Sequence, residues 1–250
     1  MLKKILLFLF LLTVTGLIAQ EDNTEEAISI PMIQVTYGMH IPGNDLAERY
    51  GWNNSAGGSF MYMTKKNWLI GAEFNYLFGE NINNKEDILA NISTDGGQII
   101  DGNGMFATVT YQERGFYANV NAGKLFALSS KNKNSGLFIT AGLGLLQHKT
   151  LIQNPENKAP QISHDYTKGY DRLTNGLAIS QFVGYMHVGE KQIYSFFAGV
   201  EMIQAWTESR RDYNFTLMKE DNSQRFDALY GLRIGWIIPL FRPASDEYYY

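Results

Sequence analysis

The stretch from Arg225 to Phe241 alternates between two kinds of residue, and this alternation limits the possible folds more than any other feature. Every second side chain from Phe226 to Leu240 is apolar, whereas the intervening positions carry Arg225, Asp227 and Arg233 together with glycines. Successive side chains of a β-strand point to opposite faces, so one face here is wholly apolar. A strand of this length is long for a soluble domain and can cross a bilayer at a tilt. We therefore interpret it as the closing strand of a membrane-spanning barrel.

The N-terminus has the pattern of a secretory signal peptide. Lys3 and Lys4 precede an apolar run that ends near Ala19, after which acidic residues begin. We predict cleavage after Ala19, so that residues 20–250 form the mature protein. Its 19 basic and 25 acidic residues give a net charge of −6, which argues against a nucleic-acid partner. The chain has no cysteine, which excludes disulfides and thiolate chemistry, and we expect no cofactor.

Eight strand-like segments follow along the mature chain. We predict strands at about 32–41, 56–63, 68–79, 116–126, 137–149, 177–188, 193–206 and 225–241, with 242–250 as a periplasmic tail. The connections alternate between long polar segments and shorter turns. Outer-membrane barrels show this alternation, with an even number of strands, short periplasmic turns and longer outer loops. The predicted fold is an all-β, eight-stranded, up-and-down antiparallel transmembrane β-barrel.

A soluble barrel that turns its apolar face inward also alternates, so the polarity of the other face decides between the two. That face is rich in small residues, namely Gly71, Gly123, Gly142, Gly144, Gly199, Gly231 and Gly235, which suit a crowded lumen better than a water-facing exterior. Aromatic residues also mark the ends of the apolar face, as Trp68 with Tyr76 and Tyr194 with Trp206. Both observations favour a membrane barrel with its apolar face outward.

The last strand also resembles the degenerate signal that outer-membrane assembly machinery reads on closing strands. We assign this signal to Arg233, Gly235, Ile238 and Leu240. The segments Tyr166–Gly176, Ile179–Tyr185 and Gly235–Phe241, with the terminal tyrosines, resemble a Bacteroidetes-type outer-membrane β-barrel family of small OmpA/OmpX-like barrels. The resemblance implies an envelope location and carries no catalytic motif. Some members of such families are subunits of assembly or secretion machines.

Inward charges should pair, because an eight-stranded barrel has room for side chains but not for an aqueous pore. We predict a buried charge network of Glu73, Glu201 and Arg233, since unpaired buried charge is very costly. Four inward amides, those of Gln34, Asn75, Asn119 and Asn121, would supply hydrogen bonds. A gated path for protons or solutes through this network is the functional alternative.

Catalysis is a weaker interpretation of the same interior. His40 and His148 are predicted to point inward near the outer ends of their strands, and Ser180 could pair with His148 across neighbouring strands. A serine hydrolase needs its nucleophile and base within hydrogen-bond reach, and no motif enforces that here. The two histidines are too far apart in strand order to predict a metal site. We expect neither catalytic residues nor a bound metal.

These observations indicate an integral outer-membrane barrel with a structural or interaction role, as a subunit or accessory of an envelope complex. Its charged, aromatic-bearing outer loops, or the tail 242–250, would contact the partners. We expect outer-membrane lipid and lipopolysaccharide around it, the barrel-assembly machinery during insertion, and envelope proteins as further partners. The alternatives are an outer-leaflet lipid-modifying enzyme and a narrow small-solute transporter.

Overall fold

The computed structural model describes residues 29–129, 132–156, 158–189 and 194–240, and eight of its strands close into one antiparallel barrel. The strands along the chain are β1 (Ile30–Asn44), β2 (Asn53–Met63), β3 (Trp68–Gly79), β4 (Ile99–Ile100), β5 (Phe106–Ala107), β6 (Thr110–Ala127), β7 (Gly136–Gln153), β8 (Thr174–His187), β9 (Phe196–Ser209) and β10 (Gln224–Pro239). The ring runs β1-β10-β9-β8-β7-β6-β3-β2, so the last strand pairs with the first. The predicted fold class is confirmed.

Connections differ sharply between the two ends of the barrel. At one end, the short-turn end, the links are 64–67, 128–135 and 188–195; at the other, the long-loop end, they are 45–52, 80–109, 154–173 and 210–223. The tightest turn is closed by a hydrogen bond of 2.8 Å from the Thr64 amide to the Trp68 carbonyl, and Asn67 adopts a positive φ of 60° that asparagine tolerates well.

The second long loop contains an α-helix and a small hairpin of its own. It holds helix α1 (Lys85–Ile88), a 3₁₀ turn at Ala90–Ile92 and the hairpin β4–β5. No helix among the described residues combines the length and the hydrophobicity needed to cross a bilayer.

Several strands differ in extent from the sequence-based expectation. β6 begins at Thr110 and β7 continues to Gln153, because this hairpin extends past the apolar band. Polar residues such as Gln112 and Arg114 occupy its outer face there, and the alternation of apolar and polar residues is lost. β9 begins at Phe196, so Tyr194 precedes the strand that it was expected to open. The predicted signal peptide, the tail 242–250 and Phe241 lie outside the described residues.

The outer surface of the barrel is apolar between two aromatic bands. Tyr62, Trp68, Tyr185, Phe196 and Trp236 form the band near the short-turn end; Tyr76, Phe116, Trp206, Phe226 and Tyr230 form the band near the long-loop end. Ten residues separate Phe196 from Trp206, which is about 23 Å of height for a strand tilted near 45°. This height matches the apolar band of a membrane barrel, and the exterior is therefore the face that contacts lipid.

The lumen is filled by side chains in layers. The short-turn core comprises Ile30, Met32, Met61, Met63, Leu69, Leu125, Phe138, Phe182, Met186, Val188, Phe197 and Ile237. The long-loop core comprises Leu46, Tyr50, Leu77, Tyr117, Leu146, Ala178, Ile203, Ala205 and Leu229. Polar residues lie between these two apolar layers and again above the second one. The charged and amide residues predicted to point inward belong to these polar layers.

Candidate functional site

Arg233 is the centre of the polar layer between the two cores. Its Nη1 lies 2.9 Å from Glu73 Oε2 and 2.7 Å from Glu201 Oε1, so one guanidinium group joins two carboxylates. The three side chains come from β10, β3 and β9, and each residue is less than a tenth exposed. The structure thus brings together the three charged residues that the sequence indicated. Such mutual pairing is the condition for burying charges at tolerable cost.

Two aromatic rings flank the guanidinium, and two glycines lie against these rings. Its Cζ lies 4.6 Å from the centroid of the Phe182 ring and 5.7 Å from that of Phe197. A Cβ on Gly235 would come within 2.2 Å of the Phe197 ring, and one on Gly199 within 2.6 Å of the Phe182 ring. The inward glycines therefore make room for the rings that hold Arg233, which is a cation–π arrangement in a desolvated position.

Glu201 has two further partners on the oxygen that Arg233 does not approach. His40 Nε2 lies 3.1 Å from Glu201 Oε2, and the Tyr117 hydroxyl donates to the same oxygen over 3.2 Å. His40 is inward as predicted but belongs to the charged group. Tyr117 was missed by the sequence reasoning, although it occupies the same inward face as Asn119 and Asn121. Its position on that face was the available signal.

The four predicted amides line the same interior in smaller groups. Asn75 Oδ1 accepts from Thr36 Oγ1 at 2.6 Å, and Gln34 Oε1 accepts from Ser59 Oγ at 2.8 Å. Asn119 Nδ2 donates to Ser180 Oγ over 2.7 Å, whereas Asn121 is buried and its Oδ1 has no partner among the described residues. Gln34 and Asn75 therefore bind hydroxyl groups and not the central ions.

A second polar layer lies above the long-loop core. His148 Nε2 is 2.9 Å from Asp227 Oδ2, and both side chains are about 1% exposed. On the opposite side of this layer, Asn53 Nδ2 donates to both carboxylate oxygens of Glu113, at 3.0 and 2.9 Å. Neither acid was assigned to a network from the sequence. Glu113 lies before the predicted strand 116–126, and for Asp227 the alternation shows that the side chain points inward but not which residue it meets.

The suggested pairing of Ser180 with His148 is wrong. In the β7–β8 register His148 lies opposite Thr174 and Gly142 lies opposite Ser180. Six residues of strand, about 20 Å, therefore separate the serine from the histidine. Ser180 belongs to the central layer, not to the outer end of its strand.

The first long loop closes the mouth of the barrel. Leu46 and Tyr50 fold into the long-loop core and are each 1% exposed. The Tyr50 ring meets the His148 ring edge to face at a centroid distance of 5.6 Å, and its hydroxyl lies 3.1 Å from Thr150 Oγ1. Arg49 donates to Thr174 Oγ1 over 3.0 Å, and burial lowers the pKa of its guanidinium. We call this segment, residues 45–50, the mouth plug.

The other three long loops pack together above the mouth plug. The second and third loops and the end of β7 form a buried core, against which Phe215 of the fourth loop packs, and we call this assembly the loop cap. The core comprises Ile88, Leu89, Ile99, Ile152, Ala159, Ile162 and Tyr170. Asn91 Nδ2 links two loops by donating to the carbonyls of Phe215 and Thr216, at 2.7 and 3.1 Å. The Asp171 carboxylate binds Arg211 between the third and fourth loops and raises the pKa of that guanidinium. These contacts order the cap as one unit.

The outer surface of the loop cap combines a hollow with exposed apolar side chains. The hollow has a volume of about 580 Å³, and its walls include Ile92, Pro160, Tyr166, Phe215 and Met218. Tyr166 and Met218 are 62% and 64% exposed. Exposed apolar groups on an ordered surface are typical of interaction sites. In the described part of the chain no cluster of His, Asp or Glu has the arrangement of a metal site.

Searches against known proteins give structural likenesses only. No family model and no curated protein matches the chain. Ail, the attachment invasion locus protein of Yersinia pestis, is 8% identical over 86% of this chain and 99% of Ail, with a TM-score of 0.41. Neisserial surface protein A is 8% identical over 82% and 96% of the two chains, with a TM-score of 0.40. The outer membrane protein OprG from Pseudomonas aeruginosa is 11% identical over 85% and 97%, with a TM-score of 0.35.

At these identities and TM-scores, the assignment of the fold rests on the strand pairing of this chain itself. Membership of a Bacteroidetes-type family stays a prediction. So does recognition of the closing strand by the assembly machinery: Arg233 and Gly235 face the lumen, while Ile238 and Leu240 lie on the outer face beside β1.

Proposed function

We propose that this chain is an integral outer-membrane β-barrel that acts as an interaction protein through its loop cap. In this reading the long loops face the outside, the short turns face the periplasm, and the cap binds a component of an envelope complex. Outer-membrane lipid and lipopolysaccharide would surround the barrel. Barrels of this kind place short turns in the periplasm and long loops outside.

The observation that carries the proposal is that two buried apolar cores lie across the lumen. Along the barrel axis, the short-turn core is followed by the central ions and then by the long-loop core. The mouth plug contributes Leu46 and Tyr50 to that second core. Apolar constrictions of this kind block ions by excluding water. A barrel closed in this way has its loops and its outer wall as the surfaces available for binding, and the loop cap carries the hollow and the exposed Tyr166 and Met218.

The two alternatives have less support. A narrow transporter would need a path through two apolar cores that contain Phe182, Phe197 and Leu229. A lipid-modifying enzyme would need a nucleophile near His148 that lipid can reach, yet this histidine is covered by Tyr50 and bound to Asp227. We therefore propose a non-enzymatic role.

Affinity purification from native outer membranes in mild detergent tests the proposal. We expect at least one envelope protein at a stoichiometric ratio in the mass spectrum. The double variant Tyr166→Ala with Met218→Ser should lose that protein while keeping the heat-modifiable gel migration of a folded barrel, because both side chains are largely exposed. Leu128→Ser is the matched control, since this exposed residue lies at the short-turn end and should leave binding intact.

Three results would contradict the proposal. If the double variant kept the partner, the contact would lie outside the loop cap. Stable single-channel current through the purified protein in a planar bilayer would favour the transporter. A changed lipid A or phospholipid profile in cells that lack the chain would favour the enzyme.

A further inference from the structure

Two glutamines interrupt the apolar outer face of the barrel. Between the aromatic bands, the outward positions of β8 are Leu177, Ile179, Gln181, Val183 and Tyr185, and those of β9 include Gln204. The other polar groups on the described part of this face lie nearer its edges and have partners. The Tyr37 hydroxyl donates to Asn54 Oδ1 over 2.9 Å, and Lys124 Nζ lies 5.3 Å from the centroid of the Trp68 ring.

The two amides are neighbours well inside the apolar band. Gln181 lies opposite Met202 on β9, and Gln204 lies opposite Ile179 on β8, so the glutamines form a diagonal pair within reach of each other's long side chains. Gln181 is four residues from Leu177, at the level of one aromatic band, and four residues from Tyr185 in the other band. At a tilt of 45°, the amide therefore lies about 9 Å inside each band.

Neither amide is well satisfied by the barrel itself. Gln181 Oε1 is buried without a hydrogen-bond partner anywhere in the described ranges. The contact that Gln204 makes is a long one of 3.8 Å from its Nε2 to the sulfur of Met202. Hydrocarbon offers neither donors nor acceptors, so an amide left in this position is unfavourable. A polar side chain inside a membrane is therefore expected to meet another polar group.

We infer that the β7–β9 face is a membrane-embedded dimer interface in which Gln181 and Gln204 meet the same residues of a second copy of this chain. This contact is separate from the loop cap, so it can exist whether or not the cap binds a partner. In the dimer, the outer surface of β7–β9 contacts protein, whereas the rest of the barrel exterior contacts lipid.

The membrane itself favours a second copy as the occupant. Both copies insert in the same direction, so a two-fold axis that relates them must run along the membrane normal. Such an axis puts identical residues at identical depth, and Gln181 then faces its own counterpart. An amide both donates and accepts, so the reciprocal contact of a two-fold interface can satisfy both copies at once.

The neighbouring surface leaves room for a close approach. In the row of outward residues that contains Gln181, the next two positions are Ala141 on β7 and Ala122 on β6, both exposed. Leu143 and Ile139 stand on either side of Ala141 along β7. Small residues at this point make the surface beside Gln181 shallow, so a second copy can come close enough for the half-buried amide to turn outward and meet it.

Disulfide cross-linking in native membranes tests the interface directly, because the chain contains no cysteine of its own. Val183→Cys places one thiol on β8 next to Gln181, and oxidation should give a covalent dimer of twice the chain mass. Phe60→Cys is the matched control, since β2 lies four strands from β8 in either direction around the ring. A dimer from Val183→Cys of at least about fivefold the yield from Phe60→Cys supports the inference.

Removing the amides gives the second test. Gln181→Leu with Gln204→Leu, in the Val183→Cys background, should reduce the cross-linked dimer to the Phe60→Cys level while heat-modifiable migration shows a folded barrel. Gln153→Leu, which removes an exposed amide beyond the band, should leave the dimer unchanged. Equal cross-linking at positions 183 and 60, an undiminished dimer in the double leucine variant, or capture of a different protein by Val183→Cys would each overturn the inference.

Discussion

Replacing Arg233 by methionine removes the one cation that joins Glu73 and Glu201. Methionine keeps most of the side-chain volume against Phe182 and Phe197, so the change is mainly one of charge. Two buried carboxylates would then face each other without the guanidinium that lies 2.9 and 2.7 Å from them. Breaking a buried ion pair by removing one partner typically costs about 3–5 kcal/mol, and we expect a loss of stability in that range.

The free energy of unfolding can be measured by urea titration of the protein in lipid vesicles, followed by tryptophan fluorescence and by the heat-modifiable gel shift. The matched control is the triple variant Arg233→Met, Glu73→Gln and Glu201→Gln, which removes all three charges. It should recover much of the loss, because replacing a whole buried ionic group is often nearly neutral. A single variant within about 1 kcal/mol of the wild type, or a triple variant no more stable than the single one, would refute the reasoning.

Three further predictions concern the loop end of the barrel. Asp227→Asn weakens the bond to His148 and should cost about 1.5–3 kcal/mol in the same urea titration; an unchanged midpoint would contradict this. Tyr50→Ala should destabilise the mouth plug by about 3–5 kcal/mol yet leave planar bilayers without current, because the short-turn core still closes the lumen; steady current would show otherwise. Burial raises the pKa of Asp221, but hydrogen bonds from Ser223 and from Arg225 at the start of β10 outweigh this and lower it. The lowered pKa stabilises the fold above about pH 4, and that contribution disappears as the pH falls through the folded value, so acid should destabilise the wild type more than Asp221→Asn.

Alternation in the sequence predicted which residues point inward and which outward. On β1 the apolar side chains from Ile33 to Ile41 are exposed, while His40 is buried, as the period of two requires. The same rule put Arg233 and Glu201 inside the barrel. This part of the structure was accessible because a closed barrel with one face in lipid imposes the same alternation on every strand.

Contacts across the lumen could not be predicted in the same way. The alternation of side chains shows which face a residue lies on but not its depth along the barrel axis. That depth follows from the tilt and stagger of the strands. His148 therefore meets Asp227 on a distant strand, whereas Ser180, on the neighbouring strand, lies in another layer. The burial of the mouth plug could not be predicted for a different reason. Leu46 and Tyr50 lie in a polar, turn-rich segment, and only the folded barrel provides the apolar layer that they complete.

The central ions are best understood through the register of the closing strand. β10 must pair with β1 on one side and β9 on the other, and its alternating apolar residues would tolerate a slip of two positions with little loss. A slip of one residue turns Arg233 towards lipid, and a slip of two moves it about 6.6 Å along the strand, away from both carboxylates. In either case Glu73 and Glu201 would be buried without their cation between two apolar cores. Because this cost applies to the shifted registers and not to the native one, we expect Arg233 to favour the native pairing of a strand whose outer face is otherwise uniformly apolar.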